Sequence, residues 1–192
     1  MACIPAACIG SRFGASSLPG IFHVFGDLKK GHRRTPMAHV VVARSEDVPA
    51  WMDLAREVEF LFGPMTDDPA FLNALRRNID RGTAFCIRKA DGPAGVSLLG
   101  GLLFSPKPPI YTIGWLAVTQ SCRRQGLGRK LMEYAIDLVA PPAELVLTTF
   151  GVDNPDGKPA RRFYERFGFY AAEPAPNGPE GGTRQIFRRI IP

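Results

Sequence analysis

Histidine and cysteine are scarce, at three and four of 192 residues. Cys3, Cys8, Cys86 and Cys122 form no CxxC pair, and His23, His32 and His39 stand at no spacing that would complete a zinc site. The pattern points to a reduced, cytoplasmic protein with no bound metal. Long apolar runs are missing too. None approaches the ~18 residues that a membrane-spanning helix needs, so no membrane partner is expected. Acid is nearly absent from residues 1–36, where Asp27 faces five Lys or Arg, leaving 19 of the 24 basic and 17 of the 18 acidic residues for the rest. The net charge of +6 is therefore concentrated in a short segment, which argues against a basic folded surface and hence against a nucleic-acid partner. What remains is ordinary: 45% hydrophobic and 22% charged residues in one domain's length of chain, which excludes wholesale disorder.

Residues 1–36 show neither helical nor strand period and end in a polar run, Lys29 to Arg34. No positive residue precedes their first apolar stretch, so they do not read as a secretory signal. They are expected to be a flexible extension, a transit segment or a stretch upstream of a second start at Met37, with one folded domain over residues 37–192.

Within that domain HVVVA (39–43) has the β-branched character of a strand, and Ser45, Glu46 and Asp47 supply helix-start chemistry for a helix over 48–62, stopped by Gly63 and Pro64. Asp67 or Asp68 then caps a second helix ending near Gly82. Strands follow over 83–89, 96–104 and 110–118, as an antiparallel meander. Leu127, Leu131, Tyr134, Ala135 and Leu138 share one helical face, and Pro141 and Pro142 end that helix. A strand (144–150), a helix (158–167) and a closing pair of strands (169–172, 185–191) complete the chain. The fold class is α+β in one mixed sheet, in the order strand, two helices, three strands, helix, strand, helix, two strands.

Chemistry is concentrated in WLAVTQSCRRQGLG (115–128), where an apolar strand runs into a basic, glycine-bearing turn and then a helix. Glycines let the backbone turn tightly, and the first amides of a helix lack intrahelical partners, so the segment suits an anion. The helix dipole adds ~0.3–1 kcal/mol per charge, and each charge-assisted hydrogen bond ~1.5–3 kcal/mol. A Walker loop needs GxxxxGK before Ser or Thr, and a dinucleotide fingerprint needs GxGxxG between parallel strands; the chain has neither.

What does match is RxxGxG, as Arg123, Gly126 and Gly128, directly after LAV and before a long helix. This resembles motif A of the GNAT N-acetyltransferases. A second stretch, Asn154 followed by Ala160, Phe163, Tyr164, Glu165, Gly168 and Phe169, is similar to that family's N...AxxFYExxGF pattern. The resemblance implies the GNAT fold and transfer of acetyl from acetyl-coenzyme A to an amine, small molecule or peptide, by direct attack in a ternary complex. It implies backbone contacts to the pantetheine from Leu116, Ala117 and Val118, and a pyrophosphate wrapped by Arg123, Arg124, Gln125, Gly126, Leu127, Gly128 and Arg129. Asn154 would contact the pantetheine arm, Phe163 would pack near it, and Tyr164 would act as the acid that stabilises the leaving thiolate. Pairing of two copies through edge strands or helix faces is a further implication.

The chain departs from the pattern twice. Gly114 stands where many relatives carry a strand Glu, and six positions instead of three separate Asn154 from Ala160, so that the added PDGKP could instead form a helix cap or a lip. Glu57, Glu59 and Asp153 are then the candidate carboxylates for a water-mediated base. The Gly114 departure also supports a different class of function, a coenzyme-A-binding sensor or interaction module without turnover. Met65, Phe60 and Phe62 are read either as core or as lining of an acceptor pocket.

Overall fold

The computed structural model describes residues 38–192; the N-terminal segment and the alternative start at Met37 lie outside the described residues. Strand β1 (Val40–Val42) leads through a short 3-10 turn into α1 (Val48–Phe62), whose first turn is organised by the fully buried carboxylate of Asp47. Asp47 accepts from the amides of Arg44 (2.8 Å) and Gly95 (2.9 Å) and from both arms of the Arg88 guanidinium (3.0 and 2.8 Å), tying the start of α1 to the next hairpin. Burial alone pushes this carboxyl up. Arg88 and the two amides outweigh burial and hold it below the usual range.

Gly63, at φ 79°, ends α1, and α2 (Pro69–Asp80) begins under a cap from Asp68, which accepts from the Ala70 amide at 2.8 Å. Three antiparallel strands follow: β2 (Ala84–Arg88), β3 (Leu98–Lys107) and β4 (Ile110–Val118). Strand β3 runs three residues beyond the sequence expectation and includes Pro106. Pairing with β2 stops at Leu103, so that edge of β3 asks no hydrogen bond of a proline. Helix α3 (Leu127–Asp137), β5 (Ala143–Phe150), α4 (Lys158–Glu165), β6 (Tyr170–Ala175) and β7 (Arg184–Ile191) complete the order expected from the sequence. The sheet runs β1-β2-β3-β4-β5-β7-β6 and is antiparallel except at β4–β5. Leu138 leaves the expected buried face of α3. It lies just past the helix and is 43% exposed, while Met132 is buried in its place.

Two adjacent glycines on β3 set how closely helices approach. A Cβ on Gly101 would sit 2.9 Å from the Trp51 ring of α1, whereas one on Gly100 would meet Leu131 of α3 at 3.1 Å. Successive strand residues face opposite sides, so α1 and α3 pack on opposite faces of the sheet. The Trp51 and Trp115 rings, 5.5 Å apart between centroids, fill the α1 side.

Candidate active site

Pairing of β4 with β5 covers only Ile110–Ile113 and Glu144–Leu147, although both strands continue. The register of β4 on β3 slips at the same place: Leu103 pairs Trp115 and Phe104 pairs Ile113, leaving Gly114 as the extra residue of a bulge. A bulge bends its strand, so β4 leaves β5 at Gly114 and opens a cleft between them. Leu116, Ala117 and Val118 lie on this diverging segment, all buried and paired only to Leu102, Gly101 and Gly100 on the other side. The edge of β4 that faces β5 is thus released from the sheet. A Cβ on Gly114 would have Leu103 O as its nearest neighbour, at 3.8 Å, so the position has space for a side chain that the sequence does not supply.

Beyond Val118 a short 3-10 turn carries the chain to Arg124 and Gly126, both with positive φ (61° and 84°), and α3 begins at Leu127. Gly126 is the residue before the first helical turn, and nothing within 4 Å blocks approach to it. The turn is fixed from α1: Glu57 accepts from the Thr119 hydroxyl (2.9 and 2.8 Å) and the Gln120 amide (2.5 Å), while the Gln120 side chain donates to Glu57 O at 3.2 Å. Arg123 lies over the Phe60 ring at 5.9 Å, and Gln125 donates back to Ser121 O at 3.2 Å.

A cavity of about 560 Å³ opens at this turn, between α3 and α4. Val118, Leu127, Pro159, Phe163 and Phe167 give it an apolar floor, and Cys122, Gly126 and Gly128 contribute to its wall. Its charged lining is of one sign: Arg123, Arg124 and Arg129 from the turn and α3, with Lys158 and Arg162 from α4 and Arg166 from its C-terminal cap. An apolar trough ringed by cations and outward helix amides suits an elongated ligand with an apolar arm and phosphates.

Eight of the residues named from the sequence for cofactor contact meet at this cavity: Val118, Arg123, Arg124, Gly126, Leu127, Gly128, Arg129 and Phe163. Asn154 does not line it. Its Oδ1 accepts from the Asp156 amide at 3.0 Å and caps the turn made by the extra PDG residues, so the insertion is a helix cap. Tyr164 is fully buried beside Phe163, with rings of Phe163, Phe169 and Phe187 at 5.2, 6.0 and 6.5 Å. Sequence reading missed Lys158, Arg162 and Arg166, whose i, i+4, i+8 spacing was a legible stripe along α4.

The candidate bases are otherwise engaged. Glu57 holds the turn, and the Asp153 carboxylate accepts from the Thr183 hydroxyl. Glu59 accepts from the amides of Met65 (2.8 Å) and Thr66 (2.6 Å) and from the Thr66 hydroxyl (2.6 Å), clamping the α1–α2 loop. Burial raises its carboxyl, and the Thr66 and Met65 bonds more than reverse this, leaving it below the usual range and a poor proton acceptor. Phe62 and Met65 belong to the core, while Phe60 is 64% exposed.

Residues 48–169, well over half of the chain, match the model of the acetyltransferase (GNAT) family. The chain belongs to that family. The GNAT domain is accordingly a transferase, and its fold is shared with solved structures. The ribosomal-protein-S18-alanine N-acetyltransferase of Escherichia coli superposes with a TM-score of 0.61 at 20% identity, over 81% of this chain and 94% of that one. Naa50 of Arabidopsis thaliana, in complex with the bisubstrate analogue CoA-Ac-MVNAL, gives 0.61 at 16% identity, over 80% and 99%. A GNAT-family acetyltransferase of Bacillus cereus gives 0.60 at 17% identity, over 81% and 99%. These identities establish a shared fold alone. Comparison with curated proteins gives no match. Among the described residues of the GNAT domain no helix is long and apolar enough to cross a membrane, and no group of His, Cys, Asp or Glu is placed to hold a metal.

Proposed function

We propose that this protein transfers the acetyl group of acetyl-coenzyme A to the α-amine of a peptide or of a small amine of similar basicity, by direct attack in a ternary complex. The observation that carries the cofactor assignment is the cavity at the Arg123–Gly128 turn, where an apolar floor adjoins cations and helix amides beside a strand edge released from the sheet. Leu116, Ala117 and Val118 offer the pantetheine a β-like partner, and Arg123, Arg124, Gln125, Gly126, Leu127, Gly128 and Arg129 take the pyrophosphate. Phe163 packs on the arm. Asn154 supports the wall through its cap and not by direct contact.

In the reaction the amine nitrogen bonds to the acetyl carbonyl carbon, the C–S bond breaks, and the sulfur leaves as thiolate while the new ammonium gives up its proton. Tyr164 stabilises the developing thiolate. A reference phenol of pKa ~10 against a thiol of ~8.5 makes complete transfer uphill by ~2 kcal/mol, so hydrogen bonding to sulfur is the role the chemistry favours. The acceptor class follows from proton accounting. A lysine amine of pKa ~10.4 carries a penalty of ~4.6 kcal/mol to be neutral at pH 7, whereas an α-amine of pKa ~7.8 carries about 1 kcal/mol. With Glu57, Glu59 and Asp153 committed to other hydrogen bonds, the α-amine is the acceptor that needs least help. The E. coli and A. thaliana neighbours, named for alanine N-acetylation and bound to an acetylated-peptide analogue, support the same class.

The test is calorimetric titration with acetyl-coenzyme A followed by thiol release against short peptides with free and blocked N-termini. Micromolar binding with release dependent on the free α-amine is expected, and Gly126→Glu, which puts bulk and negative charge into the turn, is expected to abolish binding in a folded protein. Binding without release against any amine would favour the sensor reading that Gly114 suggests.

A further inference from the structure

The cavity carries more positive charge than a pyrophosphate needs. Arg123, Arg124 and Arg129 already surround the turn, yet α4 adds Lys158, Arg162 and Arg166 on one face over about two turns of helix. Several arginines elsewhere are matched, Arg88 to Asp47, Arg184 to Glu180 and Arg188 to Glu144 and Glu173, and at the cavity itself Arg129 pairs Glu133 at 2.7 Å. Arg161, the neighbour of Arg162, turns to the other side, stacking on Phe187 at 4.8 Å and donating to Gln185 Oε1 at 2.6 Å. Among the described residues, Lys158, Arg162 and Arg166 have no acidic partner within ion-pair distance, and the cavity that they line contains no acid. Three like charges repeated along one face repel one another, and that repulsion is relieved when an anion docks.

We propose that Lys158, Arg162 and Arg166 form the recognition surface for the 3′-phosphate of coenzyme A, making this enzyme discriminate the phosphorylated cofactor from its 3′-dephospho form. The proposal rests on the acetyl-coenzyme A reading above. A pyrophosphate diester contributes two negative charges, which the turn can meet by itself. A phosphate monoester adds roughly −1.5 to −2 at pH 7 and three acceptor oxygens, a ligand that a short row of cations fits better than a single residue does. Because the stripe stands on a helix separate from the turn, the two anionic groups are read by two elements, and their contributions are separable by experiment.

The experiment is calorimetric titration of the full-length protein with coenzyme A and with 3′-dephospho-coenzyme A at low salt, for the wild type and for the triple variant K158A/R162A/R166A. All three side chains are exposed and Ala is a good helix former, so the variant is expected to fold, as circular dichroism will show. The wild type is expected to bind coenzyme A at least tenfold more tightly than the dephospho form. The triple variant is expected to lose that preference, to within about twofold, through weaker binding of coenzyme A alone. Equal wild-type affinity for both ligands would overturn the proposal while leaving the cofactor reading intact, and so would a variant that weakens both ligands equally. Failure of the wild type to bind either ligand would instead bring down the cofactor reading on which the proposal stands.

Discussion

Gly114 does with the absence of a side chain what few residues could do with one: it is the extra residue of the bulge and the last point before β4 parts from β5. Tyr164 is the complementary case, a fully buried ring whose hydroxyl is assigned a chemical task. Tyr164→Phe keeps the ring among Phe163, Phe169 and Phe187, so cofactor affinity should change little, while the acetyl-transfer step under saturating substrates should slow by roughly 10²-fold or more; single-turnover kinetics will separate the two. Asp47 offers a test by pH. Its carboxyl lies below the unfolded value of ~3.9, so its contribution is complete above that value and is lost as pH falls through the folded one. Asp47→Ala should therefore lose about 3–5 kcal/mol at neutral pH, by leaving Arg88 buried without its partner, and should show a flatter decline than the wild type in urea unfolding below ~pH 4. Individual residues were unevenly legible in the sequence. The turn at Gly126 was readable because a tight entry to a helix favours glycine, whereas the Asp68 cap could not be separated from Asp67 until the backbone was known.

At the scale of elements the coupling of α1 to the β4–α3 turn stands out. Glu57 holds Thr119 and Gln120, so the helix that borders the α1–α2 loop also fixes the loop that presents Arg123 and Arg124. Glu57→Ala should leave the fold intact and weaken acetyl-coenzyme A binding by about tenfold, since a hydrogen bond to a charged group is worth ~1.5–3 kcal/mol. A lower transfer rate at unchanged affinity would instead assign Glu57 to proton transfer. The elements themselves were largely readable: α1 is bounded by Asp47 and Gly63, and α3 begins where the glycines end. The misreadings have local causes. Pro106 signals a strand end in sequence but sits where β3 has lost its neighbour, and Leu138 keeps helical period after the helix has stopped. The basic stripe was hidden because the same stretch carries the FYE signature, which drew attention to Phe163 and Tyr164.

For the whole molecule, the strand count and order and the closing β6–β7 pair were legible, but the neighbour relations β4–β5–β7 were not, because pairing between strands distant in sequence leaves no trace in local period. The cleft was legible only through the family resemblance, which implied a free strand edge at Leu116, Ala117 and Val118. Nothing in the residue pattern of 114–118 or 148–150 announces that two long strands cease to pair halfway along. The opposite placement of α1 and α3 likewise emerges only once Gly100 and Gly101 are seen to admit one helix on each side. Parts far apart in the chain also meet: the α1–α2 loop touches the β6–β7 loop, where a Cβ on Gly63 would come within 3.2 Å of Pro179.

The unfinished seam between β4 and β5 also bears on how much folded protein a cell retains. A ligand that completes the seam binds the native state and not the unfolded chain, and at a hundred times its dissociation constant such a ligand adds ~2.7 kcal/mol to the free energy of unfolding, a large share of the ~5–15 kcal/mol typical of a domain. With acetyl-coenzyme A as that ligand, as proposed above, a fall in its supply would raise the unfolded fraction that chaperones and proteases meet. The abundance of the enzyme would then follow the supply of its own acetyl donor, with no regulator other than the gap in the sheet.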